Sequence, residues 1–436
     1  MIAAYRGATL LDGTGAPARP GTTILVDGAH IRLLAPDAEV PAALLALADT
    51  TEDLDGRHVI PGLIDSHQHI ATPPDRPTAE ATLARDLYGG VTATRDMADD
   101  LRQVADLARA ALLGEIPAPD IHYAALMAGP GFFDDPRTHQ VSQGATPGQV
   151  PWMQAIDPAT DLPLAVALAR GTYAAAIKVY ADLPSETVAA ITAEAHRQRI
   201  PVWAHAAVFP ATPAQVVRAA VDSVSHAHLL AYQTVADQLS TYRSKPALDT
   251  ARILAGDPLV AEVLAEMRAR GTVLDATASL WARIARETDP ADTEAKARAE
   301  ANDAISAALT RQAIAAGVTV SAGTDRDPDL TDPWPPLYEE LDYLVARCGM
   351  TPAQALRAGS HGGALSIGAT ASRGTLEPGK LADFAILDED PAADLANLRT
   401  LTAVVKRGRR HARTDYRHPA PAPTTAATAA ENGASA

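Results

Sequence analysis

The chain has 436 residues, of which 47% are hydrophobic and 21% charged, as is ordinary for a globular protein. Its formal net charge of −16 argues against nucleic acid and anionic membrane surfaces as partners, since both are themselves negatively charged. The single cysteine, Cys348, excludes an intrachain disulfide and a metal site built from cysteines.

No part of the sequence predicts membrane insertion or export. The N-terminus lacks a basic segment followed by a long apolar run, which a secretory signal needs. No run reaches the roughly 18 apolar residues that a membrane span requires. We therefore expect a soluble, cytoplasmic protein.

The two chain ends share short strand-like runs separated by Gly and Asp-Gly turns. Residues 1–60 contain MIAAYRGATLLDG and GTTILVDGAHIRLLAP, and residues 366–416 contain GTLEPGKLADFAILDEDP and LRTLTAVVKRGRR. Two such segments on either side of a long middle region can pair in space. We therefore expect 1–60 and 366–416 to form one small β-sandwich domain.

The middle of the chain, 61–365, alternates strand-like runs with helical ones. Eight such strands predict a parallel sheet of the α/β class, and eight units favour a closed (β/α)8 TIM barrel over an open doubly wound sheet. The polar stretch 282–305 is predicted as a helix or lid after the seventh strand. The tail, 417–436, is rich in Pro, Ala and Thr, and we expect it to be disordered.

The first strand of this region ends in an unusual pair of histidines. In the run PGLIDSHQH, His67 and His69 are separated by one residue. Side chains two apart in a strand point to the same face, and two imidazoles are costly to bury together without a function. We interpret Asp65, in the same run, as a carboxylate that supports the metal ligands or the fold, and not as a ligand itself.

Other polar side chains fall at the ends of later predicted strands. These are Lys178 in IKVY, His205 in WAH, His226 in SHAH and Asp325 in SAGTD. The carboxyl ends of barrel strands converge on one mouth, so these residues would meet there. Imidazole and carboxylate ligands suit zinc and, less selectively, manganese, iron or nickel.

Such a site would provide hydrolytic chemistry. A bound divalent cation lowers the pKa of water from about 15.7 toward about 7. Asp325 could accept the proton as the water attacks and return it to the leaving group. His139, in the loop GPGFFDDPRTHQ after the third strand, is a second catalytic candidate that could polarise a carbonyl oxygen.

The chain resembles the amidohydrolase superfamily, and more closely its imidazolonepropionase-like and prolidase-like members. The resemblance runs through VIPGLIDSHQH, IKVY, WAH, VDSVSH and SAGTD to GTLEPGKLADFAIL. It implies a (β/α)8 barrel with a small β-sandwich made from both chain ends. It also implies a set of metal ligands: one metal held by His67, His69 and Asp325, and a carboxylated Lys178 that bridges to a second metal held by His205 and His226.

The number of ions stays open, because a lysine ammonium has only donors and cannot bind a cation. If Lys178 stays an amine, a single metal on His67, His69, His205 and Asp325 is a coherent alternative. The chain departs from its relatives at Ser225-His226-Ala227, where many have Glu-His-Gly, and it carries a further histidine, His228. His226 and His228 face the same way, and the family register favours His226 as the ligand.

We expect a metal-dependent hydrolase that cleaves a C–N amide-type bond in a small molecule: a cyclic amide, an N-acyl amino acid or a dipeptide. A deaminase, or an esterase or lactonase, could use the same site, and a catalytically silent ligand-binding barrel is an alternative from another class. The expected partner is a small-molecule substrate rather than nucleic acid or membrane. The resemblance also suggests a homo-oligomer.

Overall fold

A computed structural model describes residues 1–419. The predicted disordered tail therefore lies outside the described residues from position 420 onward. Within residues 1–419, no helix is both long enough and apolar enough to cross a membrane.

The N-terminal strands form part of a sheet built from both chain ends. They are β1 (Ile2–Leu10), β2 (Arg19–Asp27), β3 (His30–Pro36), β4 (Thr50–Asp53) and β5 (His58–Pro61). Gly62 links β5 to the first strand of the barrel. Only glycine fits at this position, because a Cβ there would lie 2.2 Å from Oγ1 of Thr92.

Eight parallel strands form the barrel. They are β6 (Leu63–Gln68), β7 (Val91–Asp96), β8 (Asp120–Ala128), β11 (Ala176–Val179), β12 (Val202–His205), β13 (Ser223–Ser225), β14 (Val273–Asp275) and β15 (Val320–Ser321); the short β9 (Gln149–Val150) and β10 (Met153–Ala155) attach to β8. The chain closes the ring between its last and first strands: Ser66 donates its backbone N–H to Ala322 O at 2.8 Å, and His69 donates to Arg326 O at 2.9 Å. The predicted TIM barrel is confirmed, and the open sheet is excluded.

The remaining strands return to the first sheet. They are β16 (Phe384–Leu387), β17 (Leu401–Lys406) and β18 (Arg409–Ala412). β16 pairs antiparallel with β5, and the sheet runs in the order β18-β17-β16-β5-β1-β2-β3, with β4 paired to β1. The predicted pairing of the chain ends is confirmed; the domain bounds at 60/61 and 365/366 stay a prediction.

The first of the helices in the described residues lies between β3 and β4 of the chain-end sheet, and the later ones alternate with the barrel strands or follow them. They are α1 (Ala42–Leu45), α2 (Arg76–Tyr88), α3 (Leu101–Leu113), α4 (Pro136–Gln140), α5 (Leu162–Gly171), α6 (Ser185–Arg197), α7 (Pro213–Arg218), α8 (Thr250–Ala255), α9 (Pro258–Arg270), α10 (Leu280–Glu287), α11 (Thr293–Ala315), α12 (Leu337–Ala346), α13 (Pro352–Arg357) and α14 (Gly363–Ser366). The stretch 282–305 is therefore split between α10 and α11. Asp292 caps α11 by accepting from the N–H of Ala295 at 2.9 Å.

The apolar core has distinct parts. The largest cluster joins the barrel strands to the surrounding helices, and Leu83, Val166, Ile191 and Leu341 are fully buried in it. The chain-end sheet has its own cluster, which includes Ile24, Phe384 and Val405. Burying aliphatic side chains contributes about 1.5–3 kcal/mol each, so the packed helices hold the barrel strands, and hence their ends, in place.

Candidate metal centre

Three side chains meet where the first and last barrel strands end. Nε2 of His67 and Nε2 of His69 lie 3.3 and 3.4 Å from Oδ1 of Asp325. One ligand atom from each of the three residues lies within 4.8 Å of the other two. His67 is buried, whereas 23% of the His69 side chain and 19% of the Asp325 side chain are exposed. A ligand could therefore reach the group from the mouth.

The second nitrogen of each imidazole is bound to a carboxylate. Nδ1 of His67 lies 2.7 Å from Oδ2 of Asp275, and Nδ1 of His69 lies 2.9 Å from Oδ1 of Asp99. A proton held at Nδ1 leaves the Nε2 lone pair directed at the group, which is how metal-binding histidines are oriented in proteins. The donor chemistry of these residues therefore fits a divalent cation.

The electrostatics of the group also favour a cation. Burial would raise the pKa of Asp325, but His67 and His69 hold it well below its usual range. Burial would lower the pKa of His69, but Asp99 and Asp325 raise it well above its usual range. Two carboxylates thus keep a proton on His69, and a metal ion could replace that proton.

A glycine and two residues with strained backbones allow His67, His69 and Asp325 to lie close together. A Cβ at Gly323 would lie 2.2 Å from Oδ1 of Asp275 and 2.8 Å from Cβ of His67, so only glycine fits there. His226 and Asp325 have backbone φ of 73° and 50°, in the left-handed region that costs non-glycine residues energy. Strain of this kind is typical of functional sites.

Asp65 supports the loop that carries Asp325. Its carboxyl accepts from the N–H of His67 at 3.0 Å and from the N–H and hydroxyl of Thr324 at 3.1 and 2.8 Å. Burial raises the pKa of Asp65 to about 8, although these bonds act to lower it. Asp65 thus holds the backbone of the site, as a structural carboxylate does.

Two further histidines adjoin the first group. The His226 ring lies 4.9 Å from that of His67 and 4.8 Å from that of His205. Nδ1 of His226 lies 3.0 Å from Oγ1 of Thr277. Nδ1 of His205 is buried and has no hydrogen-bond partner in the described part of the chain. The lone pair or N–H of this atom is therefore free to take part in binding a ligand that the chain itself does not supply.

Lys178 is fully buried beside these histidines. Its Nζ donates to Oγ of Ser225 at 3.4 Å, and within residues 1–419 no carboxylate forms an ion pair with it. Burial and the charge of Arg95 lower the pKa of Lys178 to about 7. Much of this amine is therefore neutral near neutral pH, and the neutral amine is the form that reacts with CO₂.

His139 does not join the cluster. It lies exposed on the short helix α4, and its predicted role stays untested. His228 is buried, with its ring 6.0 Å from the ring of His226. Sequence reasoning missed Asp275 and Asp99, although Asp275 lies within the seventh predicted strand and Asp99 directly follows the second, and these positions were a usable signal.

Comparison with known proteins adds to this geometry. The profile of the amidohydrolase family matches residues 58–410. Imidazolonepropionase from Chromobacterium violaceum is 27% identical over 410 residues, which cover 90% of this chain and 91% of that protein. Ochratoxinase from Aspergillus niger is 42% identical over 84 residues only, so that the chain aligns with 16% of that enzyme's length.

Solved structures show the same fold. The crystal structure of the Aspergillus niger ochratoxinase matches 94% of this chain and 95% of its own, with a TM-score of 0.74 and 23% identity. A Xaa-Pro dipeptidase with bound methionine matches 94% of this chain and 100% of its own, with a TM-score of 0.73 and 20% identity. At these identities the likeness extends to the architecture alone.

Proposed function

This chain belongs to the amidohydrolase family, and we propose that it is a metal-dependent hydrolase that cleaves a C–N amide-type bond in a small molecule. The observation that carries the proposal is the convergence of His67, His69 and Asp325 on one point at the mouth of the barrel. The proposed substrates are a cyclic amide, an N-acyl amino acid or a dipeptide. The relatives named imidazolonepropionase, ochratoxinase and Xaa-Pro dipeptidase support this class.

His67, His69 and Asp325 would hold the first ion, for which we propose zinc. A bound divalent cation lowers the pKa of water and polarises a carbonyl oxygen. Asp275 and Asp99 would keep the two imidazoles oriented through the Nδ1 contacts described above. These carboxylates therefore position the ligands without touching the substrate.

Asp325 would move the proton. Its carboxylate is ionised, because His67 and His69 hold its pKa low, and it is partly open to the mouth. It would accept a proton from the attacking water and return it to the leaving nitrogen, so that a neutral amine departs. Transfers of this kind contribute typically about 10²–10⁴-fold in rate.

We also propose a second ion on His205 and His226, bridged to the first by a carboxylated Lys178. The neutral amine nitrogen would form a bond to the carbon of CO₂, one C=O electron pair would move to oxygen, and the nitrogen would lose a proton to solvent. The product is an anion with two oxygens that can bind metal. Burial without an ion-pair partner supports this, since a buried unpaired ammonium is unfavourable.

Elemental analysis of the purified protein, with activity on a panel of amides, tests the main proposal. We expect stoichiometric divalent metal, and loss of both metal and turnover in His67→Ala. Wild-type protein without metal that hydrolyses its best substrate unchanged would refute the proposal. If the protein hydrolyses none of the amides but turns over esters or deamination substrates, the result would instead favour those reactions at the same site.

The bridge has a separate test. With ¹³C-bicarbonate, we expect a carbamate resonance and two ions per chain in the wild type. Lys178→Met should lose the resonance and bind one ion. Two ions in Lys178→Met would contradict a bridging carbamate while leaving the first site intact. The cytoplasmic location and the homo-oligomer stay predictions from the sequence.

A further inference from the structure

Helix α12 is firmly anchored to the barrel. Its buried face includes leucines without any exposed surface, namely Leu337, Leu341 and Leu344. The hydroxyl of Tyr338 donates to the backbone O of Gly89 at 2.9 Å. Burial of such apolar side chains contributes about 1.5–3 kcal/mol each, so this helix is a fixed support. Two consecutive carboxylates on it, Glu339 and Glu340, bind the loops that follow β15 and β14.

Glu340 binds the loop after β14. Its side chain is fully buried. Its Oε1 accepts from the N–H of Ala278 and its Oε2 accepts from the N–H of Ser279, both at 2.8 Å. Hydrogen bonds from a backbone N–H to an ionised carboxylate are about twice as strong as those between neutral groups. Glu340 therefore fixes the path of the backbone in this loop.

The same loop orients His226. Thr277 directly precedes the two N–H groups that Glu340 holds, and its backbone φ of 41° lies in the left-handed region, which is unfavourable for a β-branched residue. Its Oγ1 lies 3.0 Å from Nδ1 of His226. A contact at Nδ1 sets the direction of Nε2, the other nitrogen of the imidazole. Glu340 thus supports the orientation of His226 by holding Thr277 in its strained conformation.

Glu339 binds the loop after β15. Its Oε2 accepts from Nη2 of Arg326, the residue that follows Asp325, and its Oε1 accepts from Nη2 of Arg286 on α10. The backbone O of Arg326 accepts from the N–H of His69 at 2.9 Å. Arg326 is therefore held both by its side chain and by its backbone, which restricts the movement of the adjacent Asp325.

We propose that these two carboxylates are positioning residues, each of which acts on a different metal ligand. Glu340 acts on His226 through the loop after β14. Glu339 acts on Asp325 through Arg326. The inference deepens the proposed hydrolase function and rests on it, because it concerns the ligands of the two proposed ions. Two adjacent residues of one helix should then have separate effects, which a general loosening of α12 would not produce.

Hydrogen exchange of the metal-free protein, followed by mass spectrometry, tests the effect on the loops. Burial raises the pKa of Glu340 to about 7, so the measurements are made at about pH 8, where this carboxyl is mainly ionised. Glu340→Gln should accelerate exchange in peptides covering 277–280 by about tenfold or more, since an amide has only one acceptor atom. Glu339→Gln should accelerate exchange in 324–328 alone. Acceleration of the same peptides in both variants would overturn the proposal.

Zinc affinity tests the effect on the ligands. We would titrate metal-free protein with zinc and bicarbonate in competition with a chromophoric chelator. Glu340→Gln and Thr277→Val should each weaken binding of the second ion by about 10- to 100-fold. Lys178→Met, which is expected to bind the first ion alone, isolates the other site. In that background Glu339→Gln should weaken zinc binding by about three- to tenfold, and Glu340→Gln should change it by less than about twofold. The reverse pattern would contradict the proposal.

A double variant distinguishes orientation of the ligand from packing. If Glu340 acts through Thr277, Glu340→Gln combined with Thr277→Val should weaken the second ion no more than the stronger single variant does. Effects that multiply would show that Glu340 acts by another route, and the proposal would be wrong. Glu340→Asp keeps both acceptor oxygens but is one methylene shorter; it should show the same selectivity and replaces Glu340→Gln if that variant does not fold. Glu262→Gln, exposed on α9, is the matched control and should change neither exchange nor affinity.

The two proposals fail in distinguishable ways. If the wild type lacks one or both ions, or hydrolyses no amide, the proposed metal centre or hydrolase fails, and hydrogen exchange alone decides whether Glu339 and Glu340 act on separate loops. If the wild type binds two ions and hydrolyses amides, but Glu340→Gln weakens both ions equally, the hydrolase stands and the positioning roles are wrong.

Discussion

The barrel has a buried charged network at each end, and the two differ in how their charges are paired. At the amino ends of the strands, Asp120 at the start of β8 forms ion pairs with Arg373, Lys406 and Arg407, the latter two at 2.8 Å. At the carboxyl ends, Lys178 has no ion pair in residues 1–419. The first network connects the chain-end sheet to the barrel through ion pairs. In the second, the amine of Lys178 makes a hydrogen bond to Ser225 and no ion pair within residues 1–419.

This contrast distinguishes buried charges that stabilise the fold from buried charged groups that serve metal binding and catalysis. Buried charges that pair with one another stabilise an arrangement, and removing one partner is expensive. A buried ammonium without an ion-pair partner, such as that of Lys178, is unfavourable unless it is neutral or modified. The amino end should therefore respond to mutation in stability, and the carboxyl end in metal binding and catalysis.

The largest effect is expected at the carboxyl end. Asp325→Asn removes both a metal ligand and the proton acceptor, and we expect kcat/KM to fall by about 10²–10⁴-fold or more. Steady-state kinetics and metal content measure it. Asp27→Asn, in the chain-end sheet, is the matched control, since its pair with Arg32 is exposed. Normal turnover in Asp325→Asn would show that another group moves the proton.

The amino end should show the largest loss of stability. Asp120→Asn leaves three cations without their shared carboxylate, and we expect the free energy of unfolding to fall by about 3–5 kcal/mol. Urea denaturation measures it. Metal content per folded molecule should stay at the wild-type value. A loss below about 1 kcal/mol, or a loss of metal, would mean that the two ends are not independent.

A smaller effect on metal binding is expected at Asp275, which orients a ligand and would not itself bind the metal. Asp275→Asn changes the acceptor at Nδ1 of His67 and should weaken metal affinity by about 10–100-fold. Metal competition with a chromophoric chelator measures the affinity. Because Asp275 also pairs with Arg95 at 2.8 Å, the melting temperature should be followed in parallel. Unchanged affinity would show that His67 keeps its orientation without the carboxylate.

The smallest expected effect is on the pH dependence of stability at the amino end of the barrel. Arg373, Lys406 and Arg407 hold the pKa of Asp120 well below its usual range, against the effect of burial. This pairing therefore stabilises the fold above about pH 4, the unfolded pKa, and the stabilisation is lost as pH falls toward the folded pKa. Between pH 5 and 3 the wild type should lose about 1–2 kcal/mol more than Asp120→Asn. Parallel acid profiles would contradict this.

The sequence predicted the parts of the molecule that follow local rules. Alternation placed His67 and His69 on one face, and strand ends placed Lys178, His205, His226 and Asp325 at one mouth. Both depend on periodicity and topology, which a single chain displays. The closed barrel followed from the count of strands for the same reason.

The rest depends on contacts between distant segments. Asp275 and Arg95 are 180 positions apart, and neither residue type is unusual in its own segment. The break between α10 and α11 was missed because 282–305 reads as one polar helix, although Pro290 and Asp292 stand at the break.

The most direct test of the account is a crystal structure with anomalous scattering measured at the absorption edge of the bound metal. We expect a peak within about 2.0–2.2 Å of Nε2 of His67, Nε2 of His69 and a carboxylate oxygen of Asp325. Metal-replete crystals with no peak at that point, or with the metal bound by other residues, would contradict the account.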